Sequence, residues 1–543
     1  MTGTGSEVDE LLRLLRSRDV RLEVRGSRLD YDAPAEALDA GLIATMRRLK
    51  PDLVDRLRAT DPPDPGLGNG PGPDDGGSGP TDGSGPDDGG GGDVQVLATA
   101  PASFGQARQY RLTVDSDTPQ MLTVALRFAL RGPLDRPALE RALTDLTVRH
   151  AVLRTRYAMR GAEVWQEVLA ARPVPVPVRS VAPGQLDDAA REWAGVPFAL
   201  RVEPGFRAVL FRPEPTAPTG GTGTARDQDR HELVLALHHG IVDGWSAQVL
   251  IRDLGELYRA AVTGEPSGLP PPAADFVDFS RWERGYLAQE STRRTVQAWA
   301  DEVRGEVAPL RLPTDRPRVA AATDAGGHVS ATVTPELVSA VAAHAVRRDV
   351  TPFVVLAAAF AWFLHRLTGA PSVPLTVPVA NRSDPRFDEV VGVFAHAPWL
   401  VVPVRGAESF DALVGRTARA TWQVLARQSV PLAVQSEALG DAFAGSPNRV
   451  YLSVLDLAEP VLHLLGIDPV PAEDVLLAGA RADLTWHVRP TPDGGMSLVA
   501  EYAATLFDLG TVSGWVDRYL RLLPRLLAAP DAPLPRHDEG EPA

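Results

Sequence analysis

The segment LALHHGIVDGWS, residues 235–246, sets two histidines side by side, the second of them four residues ahead of an Asp-Gly pair. Imidazole is the side chain whose ordinary pKa lies nearest neutrality, so a histidine held rigidly at such a place can take, give or steer a proton. Two adjacent histidines suit a metal only if they converge on it. The run HELVLALHH alternates as a strand, with Leu233, Leu235, Leu237 and His239 on one face and Val234, Ala236 and His238 on the other. The two rings then diverge, and no H-E-x-x-H pattern offers further ligands, so no metal is expected. Gly240–Trp245 reads as a turn, and SAQVLIRDLGELYRAAV from Ser246 as a helix with Val249, Leu250, Leu254, Leu257 and Tyr258 inward. A strand-to-helix turn exposes one side chain rigidly and aims free backbone N–H groups at negative charge. The bland alternative is a pair of satisfied interior histidines beside an ordinary turn, and the rest of the chain must decide.

The chain contains no cysteine, which removes disulfides, thiolate metal sites and a cysteine nucleophile. It has no G-x-S-x-G elbow for a histidine to serve, which disfavours serine-hydrolase chemistry. A positioned histidine without a protein nucleophile points to direct acyl transfer, in which an amine or hydroxyl attacks an already activated acyl group.

The elements that must hold such a site are spread over 543 residues, enough for several large cores. The 44% hydrophobic and 23% charged fractions are those of an ordinary globular protein. No uncharged apolar run approaches the ~18 residues of a membrane span, and the first residues lack the pattern of a secretory signal, so the expected address is the cytoplasm. A net charge of −15 argues against a nucleic-acid partner. Residues 60–93 are almost wholly Gly, Pro, Asp, Ser and Thr, a composition that cannot form a core. They read as a flexible linker, with an end-to-end distance of roughly 30 Å for a Gly-rich coil of this length. Residues 214–230 read as a long hairpin loop between two strand-like runs. Residues 1–59 carry a helical stripe (Val8, Leu11, Leu12, Leu15), a hairpin pattern (VRLEV and RLDY around Gly26-Ser27) and two further helical stripes. The large remainder alternates helix and strand in two halves of similar size, which suggests two α/β lobes around a cleft.

Several blocks together resemble the condensation domains of nonribosomal peptide synthetases. HHGIVDGWS carries their HHxxxDG signature. SFGQARQY (103–110), RHAVLRTRY (149–157), DFVDFSRW (275–282), VPVANRSDPRFDEVVGVF (377–394), DLTWHVRP (483–490) and EYAATLFD (501–508) follow in the family's order. The chain departs from the pattern at Ala151 in place of Glu, at AHA (395–397) in place of VNT, and in QSVPLAV (428–434). Residues 7–58 resemble the N-terminal docking domain of the tubulysin-synthetase type.

The resemblance implies an α/β (α+β) fold of two chloramphenicol-acetyltransferase-like lobes in a V-shaped pseudodimer, preceded by a small docking domain. The divisions expected are 1–59 docking domain, 60–93 linker, 94–275 and 276–530 lobes, and 531–543 flexible tail. It implies His239 as the catalytic histidine, the Gly244 N–H as an oxyanion donor, His238, Asp243 and Arg382 as structural, and Trp245, Ser246 and His396 as substrate contacts. The expected reaction is amide formation by a free-standing condensation subunit that binds no cofactor of its own. Its acyl thioester is presented on the phosphopantetheine arm of a separate donor carrier protein, and its acceptor is an amine, free or on an acceptor carrier. Ester formation on a hydroxyl and a non-catalytic recruitment platform are the alternatives. The docking hairpin, with Arg21, Glu23 and Arg25 on one face and Arg28 beside the turn, is expected to take a strand from an upstream synthetase subunit with an acidic tail.

Overall fold

The computed structural model describes residues 95–534 apart from 215–229, 305–309, 319–324, 405–408, 441–449, 456–458 and a few single positions, and before residue 95 only 11, 12, 14, 15, 21–25, 28–32 and 45. The chain divides into two units, Met1–Gly90 and Gly91–Ala543. In the first, β1 (Arg21–Arg25) and β2 (Arg28–Asp32) form the expected antiparallel hairpin, with Arg25 opposite Arg28. Leu11 and Leu15, two members of the first apolar stripe, are buried. The linker 60–93 lies outside the described residues, as do most of the two later helical stripes and the tail from residue 535.

The second unit opens with β3 (Val96–Pro101), α1 (Phe104–Asp115), β4 (Thr123–Arg131) and α2 (Arg136–Arg149). Then come β5 (Thr155–Arg160), β6 (Glu163–Leu169), β7 (Val178–Val181), α3 (Leu186–Ala194), β8 (Phe206–Pro213), β9 (Arg230–His238) and α4 (Gly244–Thr263). The strand β9 lies between β4 and β8, antiparallel to both, so both of its edges are paired. Leu233, Leu235 and Leu237 pack on one side with α2 and α4, while Val234 and Ala236 join Trp193 and Phe198 on the other. The period-two reading of HELVLALHH therefore holds.

The later half contains α5 (Phe276–Ala288), α6 (Glu290–Val303), β10 (Gly326–Val333), α7 (Pro335–Arg347), α8 (Pro352–Thr368), β11 (Ser372–Thr376), β12 (Trp399–Pro403), α9 (Phe410–Ala426), α10 (Leu432–Leu439) and β13 (Val450–Val454). After β14 (Val461–Leu462), β15 (Val470–Pro471) and β16 (Glu473–Asp474), the chain ends in β17 (Leu484–Pro490), β18 (Met496–Ala503) and α11 (Leu509–Ala528). A six-stranded sheet in the order β10-β18-β17-β13-β11-β12 carries the second core, filled by α8 and α11. The helix α8 is apolar on almost every face because it lies inside that core. Among the described residues no single helix is long and apolar enough to cross a membrane.

The two halves interlock beyond the boundary expected at 275/276. Phe276 and Phe279 of α5 belong to the first core. The short strand β16 crosses back to pair with β4, where Arg127 holds Glu473. Helix α5 starts at an Asp275–Asp278 capping box, which fixes where its aromatic face begins.

Candidate active site

The central strand delivers the two histidines. The His238 N–H bonds to Gly205 O (2.7 Å) on the β8 side, and the His239 N–H to Leu122 O (2.7 Å) on the β4 side. Alternation thus continues one residue past the end of β9, and the two side chains leave the backbone in opposite directions. His238 is 1% exposed. Its Nδ1 accepts from the Gly240 N–H (3.0 Å), so in the neutral ring the proton resides on Nε2, which donates to Thr113 Oγ1 (2.7 Å). The Thr113 hydroxyl donates in turn to Gln109 O (2.8 Å). Burial, with His239 beside it, pushes the His238 pKa down to about 3, so the ring is neutral across the working range. His239 is half-buried.

The turn that follows is tight for identifiable reasons. The Ile241 N–H bonds to His238 O (2.9 Å), and the Tyr157 hydroxyl donates to Gly240 O (3.1 Å). A Cβ on Gly240 would stand 2.9 Å from His238 Nδ1 and 3.2 Å from the Tyr157 oxygen, so glycine is required by close approach. Asp243 caps α4, its Oδ1 accepting from the Ser246 N–H (2.8 Å). That cap starts the helix at Gly244, two residues before the sequence reading placed it. Gly244 is exposed with open space where a side chain would stand, and the cap leaves its N–H without a partner among the described residues.

The other carboxylate oxygen of Asp243 reaches the second half of the chain, accepting from the N–H groups of Phe394 (2.9 Å) and Ala395 (3.0 Å). Arg382 Nη2 lies 3.6 Å from Asp243 Oδ1, so the expected pair is brought together, with both groups buried. The same guanidinium donates to Phe387 O, Val390 O (3.0 Å), Asp388 O (3.4 Å) and Ser246 Oγ (2.8 Å), and covers the Phe394 ring at 4.0 Å. Burial lowers its pKa, and Asp243 opposes that shift.

Two expected substrate contacts are placed otherwise. Ser246 is fully buried, its hydroxyl donating to Gly392 O (2.7 Å) and accepting from the Gly392 N–H (3.0 Å) and Arg382. With every position used, it cross-links the halves and has nothing left for a substrate. His396 is also buried, with Nε2 3.1 Å from Glu283 Oε1. Only Trp245 is open, at 39% exposure; its indole N–H donates to Asp388 O (2.9 Å). It flanks a groove of about 940 Å³ that runs along α4 past Val249, Arg252 and Glu256 to Leu464.

Thr113 and Glu283 carry no local signal, and Tyr157 and Gly392 lie inside the quoted blocks with nothing there to mark their roles. Asp253, fully buried, gathers Arg149 (2.7 Å), His150 (3.0 Å) and Arg252 (2.6 Å), which hold its pKa down at about 2 against the effect of burial. The Arg-His of the RHAVLRT block thus braces α4 from behind. No cluster of metal-ligating side chains occurs among the described residues.

Residues 96–440 match the family model described as condensation domain, and residues 8–58 the TubC N-terminal docking domain. The chain is 32% identical over 441 residues to the phosphinothricin tripeptide synthetase PhsC of Streptomyces viridochromogenes, an alignment covering 79% of this chain and 39% of that protein. It is 30% identical over 448 residues to a probable non-canonical nonribosomal peptide synthetase, CymA, of Salinispora arenicola, covering 80% of this chain and 6% of that one. The chain therefore spans well under half the length of either synthetase. The crystal structure of SgcC5 from Streptomyces globisporus superposes with a TM-score of 0.67 at 25% identity, over 80% of this chain and 100% of that chain. The clamped HHxxxDG turn and these matches agree: the chain belongs to the condensation-domain family of the nonribosomal peptide synthetases and begins with a TubC-type docking domain.

Proposed function

We propose that this chain joins an acyl or peptidyl group, held as a thioester on the phosphopantetheine arm of a carrier protein, to an amine acceptor. The observation that carries this reading is the division of roles within the motif. His238 and Asp243 are buried in bonds that shape the turn, and His239 stands half-buried at the end of the central strand between them. An α-amino group has an ordinary pKa near ~7.7–8.0, and its ammonium form is no nucleophile. His239 takes that proton or orients the neutral amine. The amine nitrogen attacks the thioester carbonyl, the C–S bond breaks, and the amide forms as the thiolate leaves and is protonated. The Gly244 N–H, at the positive end of α4, is the candidate donor to the oxygen that becomes negative on the way.

Incubating the protein with an acyl-loaded donor carrier and a panel of amines and alcohols, read by intact-product mass spectrometry, tests the reaction. An amide product whose rate falls roughly 10²-fold or more in His239→Ala is expected. Unchanged turnover by folded His239→Ala would refute the role of that histidine. Ester formation on a hydroxyl is the second reading, favoured by the likeness to SgcC5, whose structure holds a naphthyl ethanediol. An ester and no amide from the same panel would select it. The TubC-type segment fits recruitment of an upstream synthetase subunit, whose tail would add a strand to the β1–β2 hairpin.

A further inference from the structure

Beside the Asp243 clamp lies a second buried junction that the mechanism leaves unused. Glu283, on α5, and His396, in the AHA segment, are both buried, with Oε1 and Nε2 3.1 Å apart. The approach is off the hydrogen-bond axis, and neither atom has a hydrogen-bond partner elsewhere among the described residues. Each polar atom is answered by the other alone.

Their placement connects three elements. The second Glu283 oxygen, Oε2, accepts from the Phe104 N–H (2.8 Å) at the start of α1. The His396 main chain forms a bridge with Val379, giving and receiving bonds of 3.2 and 2.8 Å, three residues before Arg382. The two residues preceding His396 are Phe394 and Ala395, whose N–H groups hold Asp243. The Asn381 amide adds a bond to Phe394 O (3.0 Å). The 394–396 segment is thus fixed by its backbone to the Val379–Arg382 stretch and by one side chain to α5. Around the pair, Arg284 is the neighbouring cation on α5; it is turned to Glu163 (2.8 Å) and Ala102 O (2.9 Å).

We infer that Glu283 and His396 act as a positioning pair for the condensation site, setting the register of the 394–396 segment on Asp243 and through it the turn that presents His239 and Gly244. This rests on His239 being the group beside the nucleophile. Misplacement of a catalytic group by about 1 Å costs on the order of 10²-fold in rate, so a small slip of this segment is sufficient to register in kcat. Removing His396 leaves a buried carboxylate charge unanswered, whereas Glu283→Gln takes that charge away and keeps an acceptor for the Phe104 N–H.

The test is a coupled set: His396→Ala, Glu283→Gln, the double variant, and His396→Gln, whose amide N–H can stand where Nε2 stood. Each is assayed in the full chain with the donor carrier and amine from the product screen, well below its melting temperature. His396→Ala is expected to lower kcat about tenfold or more with KM for the loaded carrier nearly unchanged. Adding Glu283→Gln should recover most of that loss, and His396→Gln should retain most of the parent's kcat. Parent-like kcat in His396→Ala, or losses that simply multiply in the double variant, would overturn the inference. If His396→Ala does not fold, Glu283→Gln alone decides: a fall in kcat that His396→Gln partly restores supports the pair, and parent-like kcat refutes it. His239→Ala in the same assay keeps the outcomes apart, since its full activity would remove the site reading and leave the coupling between Glu283 and His396 to be judged by itself.

Discussion

Replacing Asp243 with Ala separates a structural clamp from a chemical participant. The carboxylate accepts from three backbone N–H groups, those of Ser246, Phe394 and Ala395, and is the counter-charge of buried Arg382. Loss of the cap to Ser246 is worth roughly 1 kcal/mol. Removing one partner of a buried ion pair costs about 3–5 kcal/mol when the other is left stranded. Here Arg382 would keep four acceptors, Ser246 Oγ and the carbonyls of Phe387, Asp388 and Val390, which puts the loss near the lower figure. Cap and ion pair together give about 4 kcal/mol, and the Phe394 and Ala395 N–H groups left without their acceptor add to it at about 1–3 kcal/mol for a buried donor. The Gly91–Ala543 unit, at about 2.1 cal/mol/K per residue over some 450 residues, has an unfolding entropy near 0.95 kcal/mol/K, so Tm should fall by at least about 4 °C. Adding Arg382→Met, which removes the stranded cation, should return part of that shift. Differential scanning calorimetry and turnover are measured on the same preparations. Loss of activity at unchanged Tm would show that Asp243 takes part in the chemistry, and the clamp account would be wrong.

The other expectations are as direct. Because the His238 pKa is about 3 when folded and near ~6.5 when unfolded, its contribution to stability is complete above pH ~6.5 and is lost as the pH falls towards 3, at about 1.4 kcal/mol per pH unit. His238→Asn, which keeps an acceptor for the Gly240 N–H, should flatten the acid limb of Tm against pH by that slope, and an unchanged limb would contradict the burial argument. A Cβ on Gly392 would stand 1.9 Å from the Phe276 ring, so Gly392→Ala should cost about 1–3 kcal/mol, with Phe276→Leu restoring part of it in thermal melts. Removing residues 1–93 should leave turnover at saturating donor carrier unchanged and lower it only at low concentrations of the upstream subunit. Loss at saturation would show that this segment belongs to the catalytic unit.

What the sequence disclosed and what it hid divide along range. The alternation of HELVLALHH, the divergence of the two histidines, the inward face of α4 and the β1–β2 hairpin are all local patterns, and local periodicity is what the chain prints most plainly. The pattern puts the helix start two residues late because Gly244 and Trp245 look like turn residues until Asp243 is seen as the cap. The bonds of Ser246 and the pairing of His396 have no local signal because their partners are remote, Gly392 lying 146 residues from Ser246 and Glu283 on α5. A hydroxyl or imidazole beside a motif looks available for substrate until the residue that occupies it is in view. The two-residue strand β16 is too short to carry any period, yet it ties the later half of the chain to the first sheet.

The carboxylate of Asp243 shows why the site needs both halves of the chain. One oxygen serves its own helix and the other the 394–395 backbone, so the turn carrying His239 cannot keep its shape if the crossing segment moves. Ser246 repeats the arrangement one helical step on, with Gly392 bonded through both its N–H and its carbonyl. Arg382 then closes the set by bonding to Ser246 and to three carbonyls of the same crossing segment. Each of these groups is satisfied only when the segment lies against α4, so the bonds form together and are lost together. If His239 acts beside the nucleophile as proposed, it does so in a frame already fixed before either substrate arrives, which is the condition under which positioning lowers a barrier.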